Sequence, residues 1–460
     1  MTAITVVVAL GLLAWAAVII RVSFLPPEAR SHWRLARWHR FRWHRLARNL
    51  GLAYQDKHLG GLDSRRKPRV VYPRARFRAD AHGWTVRMRL IPGVGRAEFE
   101  KNAEHLANAW RCHRVGVTQP RPGRLLVRAM RRDPLSGSLP STVLPAFDGY
   151  HVTLGMDEWG QLRRATLANL SGSVIGGNPG QGKTVLATSL AVQLAPSPAV
   201  QLYVLDGKGG GDWAPWQDRA IGYAGDDLEA AAAVLGEVHD RMRSRLATVQ
   251  SVLGTRNAWR RGPSPSWPLL WVVVDECHAY LDLDSAKAAG REAEQRVREC
   301  RALLGQLLRK GRSVLVHATL IAQKATGTSI PTDLRDLAGL RCCFGVATIE
   351  AGVAVLGEDL RRYDSLSPTT LQGETYAGVA TVRLATGADP YTRLRVPDVT
   401  EDQADDVAAG TARFREPFRV CVACVGERPH RNDRYSGAVC LRCRGELTDP
   451  DPAAPFLVAA

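Results

Sequence analysis

The sequence predicts an α/β protein of several domains, and three features predict it. A short apolar run, Ser173-Val174-Ile175-Gly176, leads into the glycine-rich stretch Gly177-Asn178-Pro179-Gly180-Gln181-Gly182-Lys183-Thr184, after which Val185, Leu186, Leu190 and Leu194 continue at helical spacing. Two further apolar runs, Gln201 to Leu205 and Leu269 to Val274, each end in an acid, Asp206 and Asp275. With 460 residues, 45% of them hydrophobic, the chain is long enough for two or three domains with cores of their own.

The spacing Gly177-x4-Gly182-Lys183-Thr184 is a complete P-loop, here in its strand-before, helix-after context. Glycines let the backbone turn tightly and aim successive N–H groups at phosphate oxygens, with the positive end of the helix behind them. An ordinary glycine-rich turn is the bland alternative. In the P-loop reading ATP is the nucleotide, Lys183 reaches its β- and γ-phosphates, and the Thr184 hydroxyl takes one position on Mg2+. A phosphate-binding loop without metal and base would only bind nucleotide, so the acids after Val274 decide the chemistry. Asp275 is placed to hold the magnesium through water, and Glu276 to orient and activate the attacking water; a capped strand end is the alternative. A third apolar strand, Val314 to Ile321, ends at Gln323, whose amide can touch the γ-phosphate.

A net charge of +17 and a pI near 9.9 favour an acidic partner, nucleic acid or anionic lipid, although an arginine-rich genome would have the same effect. The first 22 residues contain eighteen without a charge, Ala3 to Ile20, long enough to span a bilayer. No charge precedes this run, as it would in a secretory signal. Arginines from Arg21 onward put the rest of the chain on the cytoplasmic side of a single-pass anchor in the cell membrane. Residues 23–52 read as a basic amphipathic helix: Leu35, Ala36, Trp43, Leu46, Ala47 and Leu50 share one arc, arginines fill the other, and Trp33, Trp38 and Phe41 fall among them. Such a helix suits the membrane interface, and a packed helix or a grip on DNA phosphate are the other readings.

Residues 53–144 read as a small α+β module. Strands fall at Val70–Tyr72, Trp84–Leu90, Arg114–Val117 and Leu125–Arg128, a helix at Ala97 to Trp110, and a linker rich in Pro, Ser and Gly at Asp133 to Leu144. No catalytic constellation stands in it, so its role is assembly or coupling. The nucleotide domain covers 145–400, with a long helix from Leu228 to Val252. At 415–448, Cys421-x2-Cys424 and Cys440-x2-Cys443 match a four-cysteine Zn2+ ribbon, each pair presenting two thiolates to one tetrahedral ion. Arg428, Arg431, Arg434 and Arg442 in it can touch DNA or dock a protein. Cys112, Cys277, Cys300, Cys342 and Cys343 read as buried thiols.

Residues 145 to 398 resemble the FtsK/SpoIIIE family of hexameric double-stranded DNA pumps, whose motor is a RecA-like P-loop ATPase domain. The resemblance rests on Gly177 to Thr184, Asp206-Gly207-Lys208-Gly209, Glu237 to Arg245, Asp275-Glu276, Leu308 to Arg312, Ile321 to Lys324 and Arg341. With the anchor, the basic stretch and the module, the chain is most similar to the transfer proteins of actinobacterial conjugative plasmids and integrative elements. The resemblance implies a homo-hexamer that pumps double-stranded DNA at the expense of ATP. It implies Gln323 as γ-phosphate sensor and Arg341 as an arginine finger toward the neighbouring subunit. The family's Ala-Thr-Gln-Arg-Pro stands here as Ile321-Ala322-Gln323-Lys324-Ala325, its Ser-Arg pair is replaced near Ala351-Gly352, and no chromosome-reading winged helix follows. The related type VII protein-secretion ATPases share the motor motifs but carry several ATPase modules in tandem. A membrane scaffold that binds DNA without hydrolysis is the third class, and the full set Lys183, Thr184, Asp275, Glu276 and Arg341 argues against it.

Overall fold

The computed structural model describes residues 22, 24, 27–56, 69–323, 329–384 and 390–415, and the backbone of 420–421 and 447–448. The chain divides into two units, Met1–Ser136 and Gly137–Ala460.

In the first unit, helix α1 (Pro27–Asn49) is followed by the pair β1 (Tyr54–Asp56) and β2 (Arg69–Val71). Next come β3 (Ala75–Ala79), β4 (Gly83–Arg89), helices α2 (Arg96–Lys101) and α3 (Ala103–Trp110), β5 (Arg114–Arg121) and β6 (Arg124–Met130). The last four strands form one antiparallel sheet in the order β3-β4-β6-β5. Along β4, Trp84, Val86 and Met88 are buried while Arg87 and Arg89 are exposed, the two-residue period of a half-buried strand. Leu125, Val127 and Ala129 do the same on β6. A single helix predicted over Ala97 to Trp110 is two: Asn102 between them donates its side-chain amide to Glu98 O at 2.8 Å, the local competition that makes Asn a helix breaker.

Trp43, Ala36 and Ala47 of α1 are buried in this unit's core with Phe99, Leu106, Trp110 and Trp84, and Leu35, Leu46 and Leu50 pack beside them. Trp43 donates its indole N–H to Pro73 O at 2.7 Å. The apolar arc that could have faced lipid therefore faces the sheet, because the alternating inner surface of β4 and β6 needs a cover. The outward side of α1 keeps Trp38 and Phe41 exposed, with Arg42 over the Trp38 ring at 4.2 Å and Arg37 over Phe41 at 5.7 Å. Among the described residues no helix is long and apolar enough to cross a membrane. The predicted anchor, residues 3–20, lies outside them.

The second unit is built on a ten-stranded sheet. Its strands are β8 (His151–Asp157), β9 (Leu162–Thr166), β10 (Gly172–Gly176), β11 (Val200–Asp206), β12 (Gly222–Ala224), β13 (Leu269–Asp275), β14 (Val316–Ala322), β15 (Leu340–Phe344), β16 (Val379–Arg383) and β17 (Tyr391–Arg395). The order is β12-β11-β13-β14-β10-β15-β16-β17-β8-β9. From β12 to β15 the neighbours are parallel, and beyond β15 they are antiparallel. Every residue of β10, β11, β13 and β14 is buried, as parallel strands covered on both faces require. The long helix Leu228–Leu253 begins as the sequence predicts; the Asp227 carboxylate caps it by accepting from the N–H groups of Glu229 and Ala230, and Gly254 closes it at φ +67°.

Two predicted boundaries move. The strand expected from Val314 starts at Val316, because Gly311–Ser313 form a 3-10 turn and Leu315 takes φ +60°. Buried Arg245 fixes this corner, donating to Val314 O at 3.1 Å and lying over Trp267 at 5.2 Å. The linker is shorter than expected, since β7 (Leu139–Pro140) pairs in parallel with β18 (Pro397–Asp398). Ser138 Oγ also bonds Asp398 Oδ2 at 2.9 Å. At the far end Val420–Cys421 pairs with Leu447–Thr448. Of the ribbon cysteines, Cys421 is described by its backbone alone, and Cys424, Cys440 and Cys443 lie outside the described residues.

Candidate nucleotide-hydrolysis site

β10 delivers the glycine-rich loop at the carboxyl edge of the sheet, where ligands of parallel α/β sheets bind. Gly177 takes φ +146° and Gly182 φ +105°, and a Cβ on Gly177 would come within 2.7 Å of the Phe344 Cβ, so both positions need glycine. Asn178 N–H donates to Gly345 O and Gly378 N–H to Gln181 O, both at 2.9 Å, pinning the loop to the segments after β15 and before β16. Helix α4 (Lys183–Leu194) starts directly behind it. Lys183 is buried, and its Nζ donates back to Asn178 O at 2.7 Å. Burial lowers its pKa and the Glu276 and Asp275 carboxylates oppose that, so the ammonium sits in a desolvated, acid-flanked place.

Two strands away, β13 ends in Asp275 and Glu276. Asp275 Oδ2 accepts the Trp213 indole N–H at 2.8 Å and Oδ1 accepts the Glu276 N–H at 2.9 Å. Burial still raises its pKa, with Glu276 and Asp206 adding to the rise. Glu276 adopts φ +47°, a left-handed conformation that costs a side-chain-bearing residue about 1–2 kcal/mol. That turn sends its carboxylate across to the next strand, where Oε2 accepts the backbone N–H of Gln323 at 3.0 Å; His278 Nδ1 lies at 3.8 Å.

The strand order explains the meeting. β14 lies between β10 and β13, so its end sets Gln323 between the P-loop and the two acids. The structure thus brings together Gly177, Asn178, Pro179, Gly180, Gln181, Gly182, Lys183, Thr184, Asp275, Glu276 and Gln323 at one sheet edge. Asp206 joins them from β11, in register with Asp275, its pKa also raised by burial.

Arg341 does not join them. It is 5% exposed, its guanidinium donates to Ala338 O at 3.0 Å and Leu356 O at 3.4 Å, and Asp336 lies 3.4 Å away. Burial and Arg383 push its pKa down to about 10. β15 turns the side chain inward, where it donates to carbonyls of its own subunit.

Among the described residues no three His, Cys, Asp or Glu side chains form a metal cage. Magnesium on nucleotide needs none, since phosphates and water supply most ligands. The Thr184 hydroxyl at the helix start and buried Asp275 fit that role, because an acid whose carboxylate is disfavoured by burial gains from a cation. No observation in the described residues bears on the zinc. Of the other cysteines, all free, Cys277, Cys300, Cys342 and Cys343 are buried as expected, while Cys112 is only half-buried.

Sequence reading missed Trp213, which lies in the 3-10 segment Gly211–Trp216 without periodicity, and Asp206 as a neighbour of Asp275. It also missed a cleft of about 420 Å³ lined by Gly180, Gly182, Val185, Gly378, Arg395 and Asp398. A wider apolar groove of about 830 Å³, lined by Phe147, Pro196, Pro263 and Val407, shares no residue with the P-loop.

Fold and loop define the second unit as a P-loop ATPase-type α/β domain. Residues 27–131 match the family described as the actinomycete conjugal transfer protein N-terminal domain. Among solved structures, the pCW3 conjugation coupling protein TcpA, a monomer form with ATPgS, superposes with a TM-score of 0.53 at 16% identity over 75% of this chain and 94% of that one. The cytoplasmic domain of the Thermomonospora curvata type VII secretion ATPase EccC gives 0.45 at 21% identity, over 61% of this chain and 33% of that one. EssC (ATPases 2 and 3) from Geobacillus thermodenitrificans gives 0.43 at 15%, over 64% and 56%. No curated protein sequence matches the chain. The first match bears out, over residues 27–131, the resemblance to actinobacterial conjugal transfer proteins, and the second shows a shared fold.

Proposed function

We propose that the chain is a membrane-anchored ATPase that moves double-stranded DNA in the conjugative transfer of a plasmid or integrative element, working as a hexameric ring. The observation that carries this reading is the meeting of Lys183, Thr184, Asp275, Glu276 and Gln323 at one sheet edge, on a chain whose residues 27–131 match a conjugal transfer domain. The P-loop amides would cradle the phosphates and Lys183 would exchange the Asn178 carbonyl for a phosphate oxygen. Desolvation makes that charge pair stronger than it would be in water. Glu276, released from the Gln323 N–H, would take the proton of the attacking water, and the Gln323 amide would report the γ-phosphate. Magnesium, held by Thr184 and through water by Asp275, would neutralise developing phosphate charge.

In this reading DNA is gripped by its phosphates in the ring and no base is read. Residues 1–22 anchor the ring in the cell membrane with the bulk of the chain in the cytoplasm, and Cys421, Cys424, Cys440 and Cys443 hold zinc in a small ribbon. The test is the ATPase rate of the full chain in detergent, with and without long duplex DNA, beside Lys183→Ala and Glu276→Gln. Duplex-dependent stimulation abolished by both substitutions is expected. Hydrolysis indifferent to DNA would shift the reading to protein export, and no hydrolysis at all to a scaffold.

A further inference from the structure

In the first unit, α1, α2 and α3 all contribute to a core on one face of the four-stranded sheet, through Trp43, Phe99 and Trp110. The opposite face is set by the strand registers. Arg76 on β3 stands opposite Arg87 on β4, Arg89 on β4 opposite Arg124 on β6, and Arg124 opposite Arg121 on β5. Arg78 continues the edge, and Arg76, Arg78, Arg87, Arg89 and Arg121 are exposed. Among the described residues two acids serve this surface: Asp80 pairs with Arg128, and Asp133 with Arg114 at the far end of β5. Among the described residues none of Arg76, Arg87, Arg89, Arg121 or Arg124 has a carboxylate partner.

Like charges placed directly across strands destabilise a sheet, and here they recur on three strand pairs. The crowding is severe enough that Arg89, Arg121 and Arg76 together lower the pKa of Arg124. A surface that keeps such repulsion in the free protein is relieved by a polyanion. We propose that this arginine face binds the phosphate backbone of duplex nucleic acid, as a second DNA contact outside the motor. Guanidinium groups pair with phosphate bidentately, and a row crossing three strands about 4.8 Å apart spans several phosphates, which a duplex presents every ~1.7 Å of axis. Membrane-surface binding calls for aromatic side chains among the cations. Among the described residues this face has none, because Trp38 and Phe41 belong to α1 and Tyr72 leans on His44 of that helix.

The proposal does not need the motor to turn over, so it is tested without nucleotide. Binding of labelled duplexes of two unrelated sequences to the full chain is measured across a salt series, beside the variant Arg76→Gln, Arg87→Gln, Arg89→Gln, Arg124→Gln. Affinity for both duplexes should fall at least ~10-fold near 0.1 M salt, and the slope of log K against log salt should lessen by about 3, while DNA-free hydrolysis is unchanged. If the four-fold variant melts early, Arg89→Gln and Arg124→Gln alone carry the test, each lessening the slope by about 1. Unaltered affinity and slope would overturn the proposal. So would unaltered DNA binding with lost flotation on phosphatidylglycerol vesicles, which would make the face a lipid site.

Discussion

Trp213 donates its indole N–H to Asp275 Oδ2 at 2.8 Å, so a tryptophan outside both nucleotide motifs orients the acid proposed to hold magnesium. Replacing it with Phe removes that donor from a buried carboxylate, a loss of about 1–3 kcal/mol. Asp275 already has a pKa raised by burial, and the hydrogen bond lowers it. Without it the acid is protonated at higher pH. Trp213→Phe should therefore move the acid limb of the pH-rate profile to higher pH and raise the magnesium requirement. An unmoved acid limb would leave Trp213 a packing residue.

Glu276→Gln keeps the shape of the carboxylate and its acceptor toward the Gln323 N–H but loses the proposed base. Hydrolysis should fall about 100- to 10,000-fold with nucleotide affinity nearly unchanged, read by turnover and by displacement of a fluorescent ATP analogue. Gln323→Ala should leave the backbone bond to Glu276 in place and lower turnover more weakly.

Arg341→Ala leaves the carbonyls of Ala338 and Leu356 without their donor inside the fold. Stability should drop by about 2–4 kcal/mol, seen as a lower melting temperature. A finger residue would behave otherwise: the variant would melt normally, and mixing it with wild-type subunits would poison hydrolysis.

His39 is buried against Trp84 and Trp110, ring centroids 5.2 and 6.3 Å away, and burial with Arg131 and Arg42 pushes its pKa down to about 4. The unfolded chain binds the proton near pH 6.5, the folded unit only near 4. Stability supplied by the neutral ring is complete above pH 6.5 and is lost as pH falls toward 4, by up to about 1.4 kcal/mol per pH unit. Acid melts followed by tryptophan fluorescence should show this slope, and His39→Phe should flatten it. Buried His317, its pKa also pushed down to about 4, adds the same sign in the second unit.

The nucleotide loop and the acid pair were legible because fully buried parallel strands must be apolar throughout, and because Gly177 and Gly182 occupy backbone conformations that favour glycine. The apolar arc of α1 was ambiguous for a physical reason: Ala36, Trp43 and Ala47 would suit lipid or a protein core equally, and only the sheet opposite decides. The burial of Arg341 was not legible, because sequence shows a charge but not the carbonyls around it. Trp213 and the arginine face were invisible to motif reading, since one depends on a short irregular turn and the other on strand registers that place Arg89 beside Arg124.

The pairing of Leu139–Pro140 with Pro397–Asp398 ties the strands entering and leaving the nucleotide domain into one clasp. Ser138, Leu139 and Asp398 of that clasp also line the cleft with Gly180 and Gly182 of the P-loop. A ligand seated in the cleft would therefore touch both chain leads and the phosphate loop at once.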